Sequence, residues 1–272
     1  MNKINKIKLN ISILIAVHYE IDPSQLKVSI DSIFIQNSIP NQIIIVADGP
    51  ISLELSKYLS EISLRHDQIS IINLKENKGL AYALNYGIEK SSYELIARLD
   101  PDDVVINDRF LEQKKEFDRN STLSICGSYI QEILKNERIR LIKKPLSDNQ
   151  IKVSLKIKNP IIHSTVMFKK KSILSIGGYP TIYKCQDYLL WIKCMEKNNI
   201  FKNINKALVM SKLDKNLMKR RGIKYFHYEK KIYKYMLEKK IINNYLYYFN
   251  MITRFILRSL PHPFKFLLYH IR

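Results

Sequence analysis

Short apolar runs alternate with amphipathic stretches through the first hundred residues, and that alternation restricts the chain to one broad architecture. Residues 11–17, 42–47, 69–74 and 94–99 are apolar-rich runs of strand length, the first with a β-branched bias. Runs of this kind are strands covered on both faces. Between the first two, residues 23–37 place Leu26, Val28, Ile30, Ile33 and Phe34 at helical spacing behind Asp22-Pro23-Ser24, a helix start. Residues 53–64 and 79–90 read as further helices. Strand, helix, strand repeated in this way implies an open α/β fold with a parallel sheet and helices on both faces. Ligands of such folds bind beyond the carboxyl ends of the strands. Three polar clusters stand there: His18-Tyr19-Glu20 after Val17, Asp48-Gly49-Pro50 after Ala47, and Asp100-Pro101-Asp102-Asp103 after Leu99.

The second half is less regular. It predicts a charged helix over 107–120, strands within 123–134 broken at Gly127, and a short helix within 145–156. A strand over 165–168, a helix over 170–176 stopped by Gly177-Gly178, and a helix over 187–197 follow. In the last of these Trp191 falls at helical spacing and reads as core. From residue 216 to 272 the composition shifts to a basic, aromatic, helical tail with no acid beyond Glu229 and Glu238. There are no internal repeats.

With 272 residues and 46% hydrophobic content the chain can bury a sizeable core. Lys+Arg 45 against Asp+Glu 25 leaves a formal charge of +20, which favours a polyanionic partner: nucleic acid, an anionic membrane surface or a phosphorylated substrate. Three cysteines, odd in number and without metal-ligand spacing, exclude a disulfide scaffold. The lysines before residue 11 imitate a signal peptide, but the apolar run is short and no small-residue cleavage site follows it. A cytoplasmic protein is expected. No run reaches the roughly 18–20 apolar residues of a membrane span.

Asp100-Pro101-Asp102-Asp103 is the sharpest chemical feature. Carboxylates at i and i+2 beyond a buried strand can converge on a hard divalent cation, Mg²⁺ or Mn²⁺, which also binds substrate phosphates. The same residues could form an ordinary acidic turn. Asn77-Lys78-Gly79 opens a helix, where amides and a lysine could meet a phosphate or base, and Asp48 could accept a base-edge N–H. Asp187 could serve as a general base or cap its helix, or both. His163 could touch acceptor or phosphate, or be structural.

SILIAVHYE, IIIVADGP, NKGLAYALNYGI, ELIARLDPDD, HSTVMF, GGYP and QDYLLWIKC occur in the order seen in the family 2 glycosyltransferases. The chain resembles their bacterial capsule, exopolysaccharide and O-antigen members, the amylovoran-type enzymes. KRRGIKYF and RFILRSLPHPFKFLLYHIR in the tail resemble that subgroup as well. The resemblance implies the GT-A fold, Rossmann-like, with residues 1–105 as a nucleotide-binding half, 106–215 as an acceptor half and 216–272 as a basic helical extension. It implies a metal-dependent, inverting hexosyl transfer from a nucleoside diphosphate sugar, UDP-linked by expectation, to a lipid-linked saccharide.

Residue by residue, the resemblance implies that Asp102 ligates the metal with Asp100 nearer the ribose, while Asp103 supports the turn. It places Val17, His18, Tyr19, Glu20, Asp48, Lys78 and Gly79 around the nucleotide. Arg220 and Arg221, in the basic loop Lys219–Gly222, would close on the diphosphate. Asp187 becomes the base, with His163, Gly178 and Gln186 on the acceptor side. The chain departs from the family's pattern twice. Ala47-Asp48 stands where two adjacent acids are common, and Gln186 stands where the family has Glu.

The implied partners are the donor, the lipid-linked acceptor and, through the tail, the anionic cytoplasmic face of the bacterial inner membrane. The tail could instead cap the α/β domain or pair in a homodimer. Nucleic-acid binding, suggested by charge and aromatics, has no reading motif here and leaves the strand-end acids unexplained. A nucleotidyltransferase would carry a Gly-rich basic loop after the first strand, which is missing.

Overall fold

The computed structural model describes residues 6–134, 137–213 and 222–261. Four parallel strands open the chain: β1 (Ile7–Val17), β2 (Ser38–Ala47), β3 (Ile69–Asn73) and β4 (Leu95–Arg98), in the spatial order β3-β2-β1-β4. The helices between them are α1 (Pro23–Ile35), α2 (Leu53–Arg65) and α3 (Leu80–Lys90). Asp22 caps α1, its side chain accepting the Ser24 N–H, and Ser52 caps α2 through the Leu55 N–H. Each cap satisfies an amide that the first helical turn would leave without a partner.

Side-chain alternation along β1 builds the layers. Ile11, Ile13, Ile15 and Val17 enter one core with Leu26, Ile30 and Ile33 of α1 and Leu55 and Leu59 of α2. Leu14, between them, enters the other core with Leu84 and Ile88 of α3. Ile43 and Ile45 of β2 repeat the first choice, and Ile44 and Val46 the second. Period-two patterning in strands that are apolar at nearly every position therefore produces helices on both faces.

Beyond β4 the sheet becomes mixed. It continues through β5 (Val104–Val105), α4 (Arg109–Arg119), β6 (Leu123–Ile133), β7 (Ile139–Ile142), α5 (Asp148–Leu155), a single 3₁₀ turn at His163–Thr165, β8 (Met167–Lys169), α6 (Lys170–Leu174), α7 (Gln186–Glu196) and β9 (Ile200–Lys212). β8 joins β4 and β6 antiparallel, β9 runs parallel to β6, and β5 pairs antiparallel with β9.

Two expectations need correction here. The break at Gly127 does not occur: β6 is one continuous strand. Gly127 lies inside it because a Cβ there would run into Asn203 Oδ1. Asn203 is itself held in place, its amide donating to the carbonyls of Pro145 at 2.6 Å and Pro160 at 3.2 Å. The strand expected over 165–168 begins later, the 3₁₀ turn occupying its first residue.

β9 was not apparent in the sequence. Its inward positions include the buried polar Asn203, so the alternation of apolar residues that marks a strand is interrupted.

Two further helices, α8 (Ile223–Glu238) and α9 (Asn244–Ser259), pack as a hairpin against α7 and the α3 side core. Their polar groups meet the C-terminal end of α5. Tyr233 Oη and Arg254 Nη2 both donate to the Ile157 carbonyl, at 2.5 and 2.6 Å, and Asn250 Nδ2 donates to that of Lys156 at 2.9 Å. Carbonyls past the last turn of a helix need such donors.

Candidate active site

The carboxyl ends of β1, β2 and β4 lie side by side, so the three polar clusters share one edge. Val17 ends β1 and its carbonyl accepts the Asp48 N–H at 2.8 Å. Asp48, 5% exposed, uses both carboxylate oxygens on the loop between β3 and α3. Lys78 N–H donates to one at 2.8 Å and Gly79 N–H to the other at 2.9 Å, at the mouth of α3. Asp48 therefore braces the loop that opens α3, and a base contact would be additional to these bonds. Tyr19 and Glu20 project from the β1 loop into solvent, while His18 Nδ1 accepts the Glu20 N–H at 3.3 Å. The Lys78 ammonium pairs with Glu76 at 3.0 Å and lies 4.9 Å from the Tyr82 ring.

After β4 the chain turns at Pro101, closed by the Asp103 N–H donating to the Asp100 carbonyl at 3.2 Å. Exposure alternates along this turn: Pro101 and Asp103 are buried and Asp102 faces solvent. Asp100 is bound by the guanidinium of Arg98, which is buried. Burial alone would weaken the Arg98 charge, but the Asp100 carboxylate outweighs it and raises the pKa. Behind it Arg109, wholly buried, donates to the carbonyls of Arg98 at 2.7 Å and Val166 at 3.2 Å. Burial holds Arg109 down to about 9, so it is still a cation at neutral pH. Asp103 is pushed well above the usual carboxylate range, by burial first and then by the Asp100 charge, against a hydrogen bond from Ser164.

Arg98 and Arg109 were missed from the sequence, where each reads as an ordinary surface charge. Their Nη1 atoms are buried without a hydrogen-bond partner among the described residues. Two buried cations behind the acidic turn offset its negative charge, with Arg98 paired directly to Asp100.

On the other side of the site, α7 begins at Gln186 directly after Cys185, whose φ of +61° is left-handed. That conformation costs a non-glycine residue about 1–2 kcal/mol. It aims the first turn of α7, where Asp187 Oδ2 accepts the Asn159 amide at 2.7 Å. Gln186 donates to the Tyr183 carbonyl at 3.1 Å. His163 Nε2 lies 2.8 Å from the Tyr179 hydroxyl and its ring packs on those of Tyr179 and Trp191. Burial, and after it the Arg98 cation, depress the His163 pKa well below its ordinary value, so the imidazole is neutral. Trp191 is fully buried, as its spacing predicts.

Tyr179 ties the two sides together. Its phenol, pushed up by burial, feels the charges of Arg98, Asp187 and Asp100. Gly178 before it has φ +75° and could not carry a Cβ, because Asn85 occupies that space. Arg220 and Arg221, with Lys219, lie outside the described residues.

Two carboxylates, Asp100 and Asp102, present hard oxygen donors at the strand end. Among the described residues no group of three or more His, Cys, Asp and Glu side chains is placed to hold a metal ion. A pair of this kind fits Mg²⁺ or Mn²⁺ when substrate phosphates and water supply the other ligands. The three cysteines are buried, with the thiols of Cys126 and Cys185 pushed up to about 12, which argues against thiolate chemistry.

Comparison with known proteins agrees with this geometry. The family model described as glycosyl transferase family 2 matches residues 12–177. The UDP-Gal:alpha-D-GlcNAc-diphosphoundecaprenol beta-1,3-galactosyltransferase of Escherichia coli is 32% identical over 260 residues, 95% of this chain and 94% of that one. The amylovoran biosynthesis glycosyltransferase AmsE of Erwinia amylovora is 30% identical over 230 residues, 84% and 86% of the two chains. Among solved structures, the mannosyltransferase PcManGT from Pyrobaculum calidifontis, in complex with GDP-Man and Mn²⁺, has a TM-score of 0.63 at 13% identity, covering 84% of this chain and 64% of that one. S. aureus TarS 1-349 in complex with UDP has a TM-score of 0.61 at 14% identity, covering 84% and 66%. At such identities the structural likeness speaks for the fold, which is GT-A.

Proposed function

The chain belongs to glycosyl transferase family 2 and is a glycosyltransferase, and from that premise we propose that it transfers a hexose from a UDP-linked donor to a lipid-linked saccharide during assembly of a bacterial surface polysaccharide. The observation that carries this reading is the shared edge at the carboxyl ends of β1, β2 and β4, where Asp48, Asp100 and Asp102 stand together. Asn85 of α3 holds the backbone of Tyr179, whose hydroxyl lies 2.8 Å from His163 Nε2, which supports an acceptor side next to that edge.

In this reading residues 1–105 hold the nucleotide and 106–215 line the acceptor side. The loop at His18–Glu20 and the Asp48-braced mouth of α3 border the base and ribose. Asp102 and Asp100 would hold the divalent cation, Asp100 being steadied by Arg98. When bound, the cation would supply positive charge against the diphosphate. Asp187 takes the proton of the acceptor hydroxyl as that oxygen bonds to the anomeric carbon and the bond to the diphosphate oxygen breaks, with inversion. Asn159 fixes the orientation of Asp187. Gln186 keeps a hydrogen-bonding side chain beside it without adding a second negative charge. His163 stays neutral and fixes Tyr179 between the two sides.

Galactosyl and glucosyl transfer to GlcNAc-diphosphoundecaprenol, named for two of the relatives, supports a lipid-linked acceptor for this chain. Such an acceptor would place the work at the cytoplasmic face of the inner membrane. No helix among the described residues is long and apolar enough to cross a membrane.

The test is nucleotide-sugar binding and turnover, with and without Mn²⁺, for wild type, Asp102→Ala and Asp187→Asn. One nucleotide sugar should bind only with Mn²⁺, and Asp102→Ala should lose that binding. Asp187→Asn should bind normally and turn over about 10²–10⁴-fold more slowly. Absence of nucleotide-sugar binding at every Mn²⁺ concentration would sink the reading.

A further inference from the structure

α9 carries apolar side chains on both its faces. Its inner face packs Leu246, Tyr247 and Met251 against the core and buries Asn250 and Arg254, bonded to the end of α5, while Arg258 donates to buried Glu229 at 2.9 and 2.7 Å. Its exposed face carries Tyr245 (80% exposed), Tyr248, Phe249, Ile252, Phe255 and Ile256. The spacing i, i+3, i+4, i+7, i+10, i+11 makes one stripe about 16 Å long. No charge interrupts it. A helix on a protein surface ordinarily shows water its polar face, and an apolar patch of this extent marks a contact.

Charge identifies the kind of partner. The Phe226 ring of α8 meets the Phe255 ring at 5.6 Å, so the stripe continues onto α8. Lys230 and Lys234 follow Phe226 at i+4 and i+8, both exposed, and Lys231, Lys239 and Lys240 are exposed nearby. Glu238 is the one exposed acid on the described parts of the hairpin, Glu229 being buried. A second copy laid on this stripe would bring lysines against lysines with almost no acid to meet them. Residues 262–272 extend the same composition past the end of α9, with Phe264, Phe266 and Tyr269, two cations and no acid. Aromatic residues beside lysines suit the boundary between headgroups and acyl chains.

We propose that α9 lies in the surface of an anionic lipid leaflet, its Tyr245–Ile256 face inserted among the acyl chains and the α8 lysines against the headgroups. The attachment rests on this face alone and is independent of the donor and acceptor assigned above.

Co-sedimentation of the full chain with phosphatidylcholine vesicles, with and without 30% phosphatidylglycerol, tests it (mole fraction of order one third, as suits lysine-headgroup attraction). The protein should pellet with the anionic vesicles, and Ile252→Asp with Phe255→Asp should release it about tenfold or more. Both positions are exposed, and circular dichroism would check that the variant folds. Lys230→Glu with Lys234→Glu should weaken binding about fivefold or more per lysine and flatten its salt dependence. Nucleotide-sugar hydrolysis should survive in all variants, which separates this inference from the proposed function. Failure to pellet with anionic vesicles, pelleting unaffected by the α9 substitutions, or a dimer that those substitutions dissociate would overturn it.

Discussion

Asn85 on α3 and Tyr179 in the Gly-Gly-Tyr-Pro turn exchange two hydrogen bonds: the Asn85 amide donates to the Tyr179 carbonyl at 2.9 Å, and its oxygen accepts the Tyr179 N–H at 2.7 Å. α3 thereby holds the loop that carries the Tyr179 phenol to His163. Asn85→Ala leaves two backbone groups without partners, at a cost of about 1–3 kcal/mol. Urea unfolding should show that loss. Acceptor KM should rise more than donor KM, and equal changes in both would argue against a positioning role.

Arg98 is the buried cation behind Asp100. Arg98→Met should raise the Mn²⁺ concentration needed for half-maximal activity by about 10–100-fold, the usual effect of removing a group that orients a metal ligand. Arg98→Lys, which keeps the charge but not the forked geometry, should fall between. A Mn²⁺ titration at saturating donor reads this directly, and an unchanged midpoint in the Met variant would remove Arg98 from the site.

His163 gives the stability a pH dependence of known sign. Its folded-state pKa lies well below the ordinary value near 6.5, chiefly through burial. Above about pH 6.5 the imidazole is neutral both folded and unfolded and contributes nothing. Below it the unfolded chain takes up a proton that the folded chain refuses, so stability falls as pH drops. Thermal midpoints from pH 7.5 to 5 should decline more steeply in wild type than in His163→Gln. Parallel curves would mean that the imidazole protonates in place.

Glu229 on α8 receives Arg258 and lies 3.9 Å from Arg254. All three side chains are largely buried. Glu229→Ala strands two buried cations and should destabilise the hairpin by about 3–5 kcal/mol. Limited proteolysis should then cut within 222–261 before the α/β region. Replacing all three residues by apolar ones of similar volume should recover most of the loss.

What the sequence determined on its own was the part governed by local pattern. Apolar runs at 11–17, 42–47 and 94–99 could be buried only as central strands, so the ends of β1, β2 and β4, and with them Asp48, Asp100 and Asp102, came to one edge. The order of the motifs was enough to name the family. Tertiary structure alone decided the rest, because it turns on which distant groups meet. Gly127 reads as a break until Asn203 is seen across from it, and β9 is hidden by that same buried asparagine. Arg98 and Arg109 look like solvated charges until Asp100 meets the first and the carbonyls of Arg98 and Val166 meet the second. Asn85 and Tyr179 are 94 residues apart, and their bond exists only once α3 and the Gly178 turn are docked. α9 leaves its Tyr245–Ile256 stripe outward only when Asn250 and Arg254 find the carbonyls at the end of α5, since a helical period says where the faces are and packing decides which one turns inward.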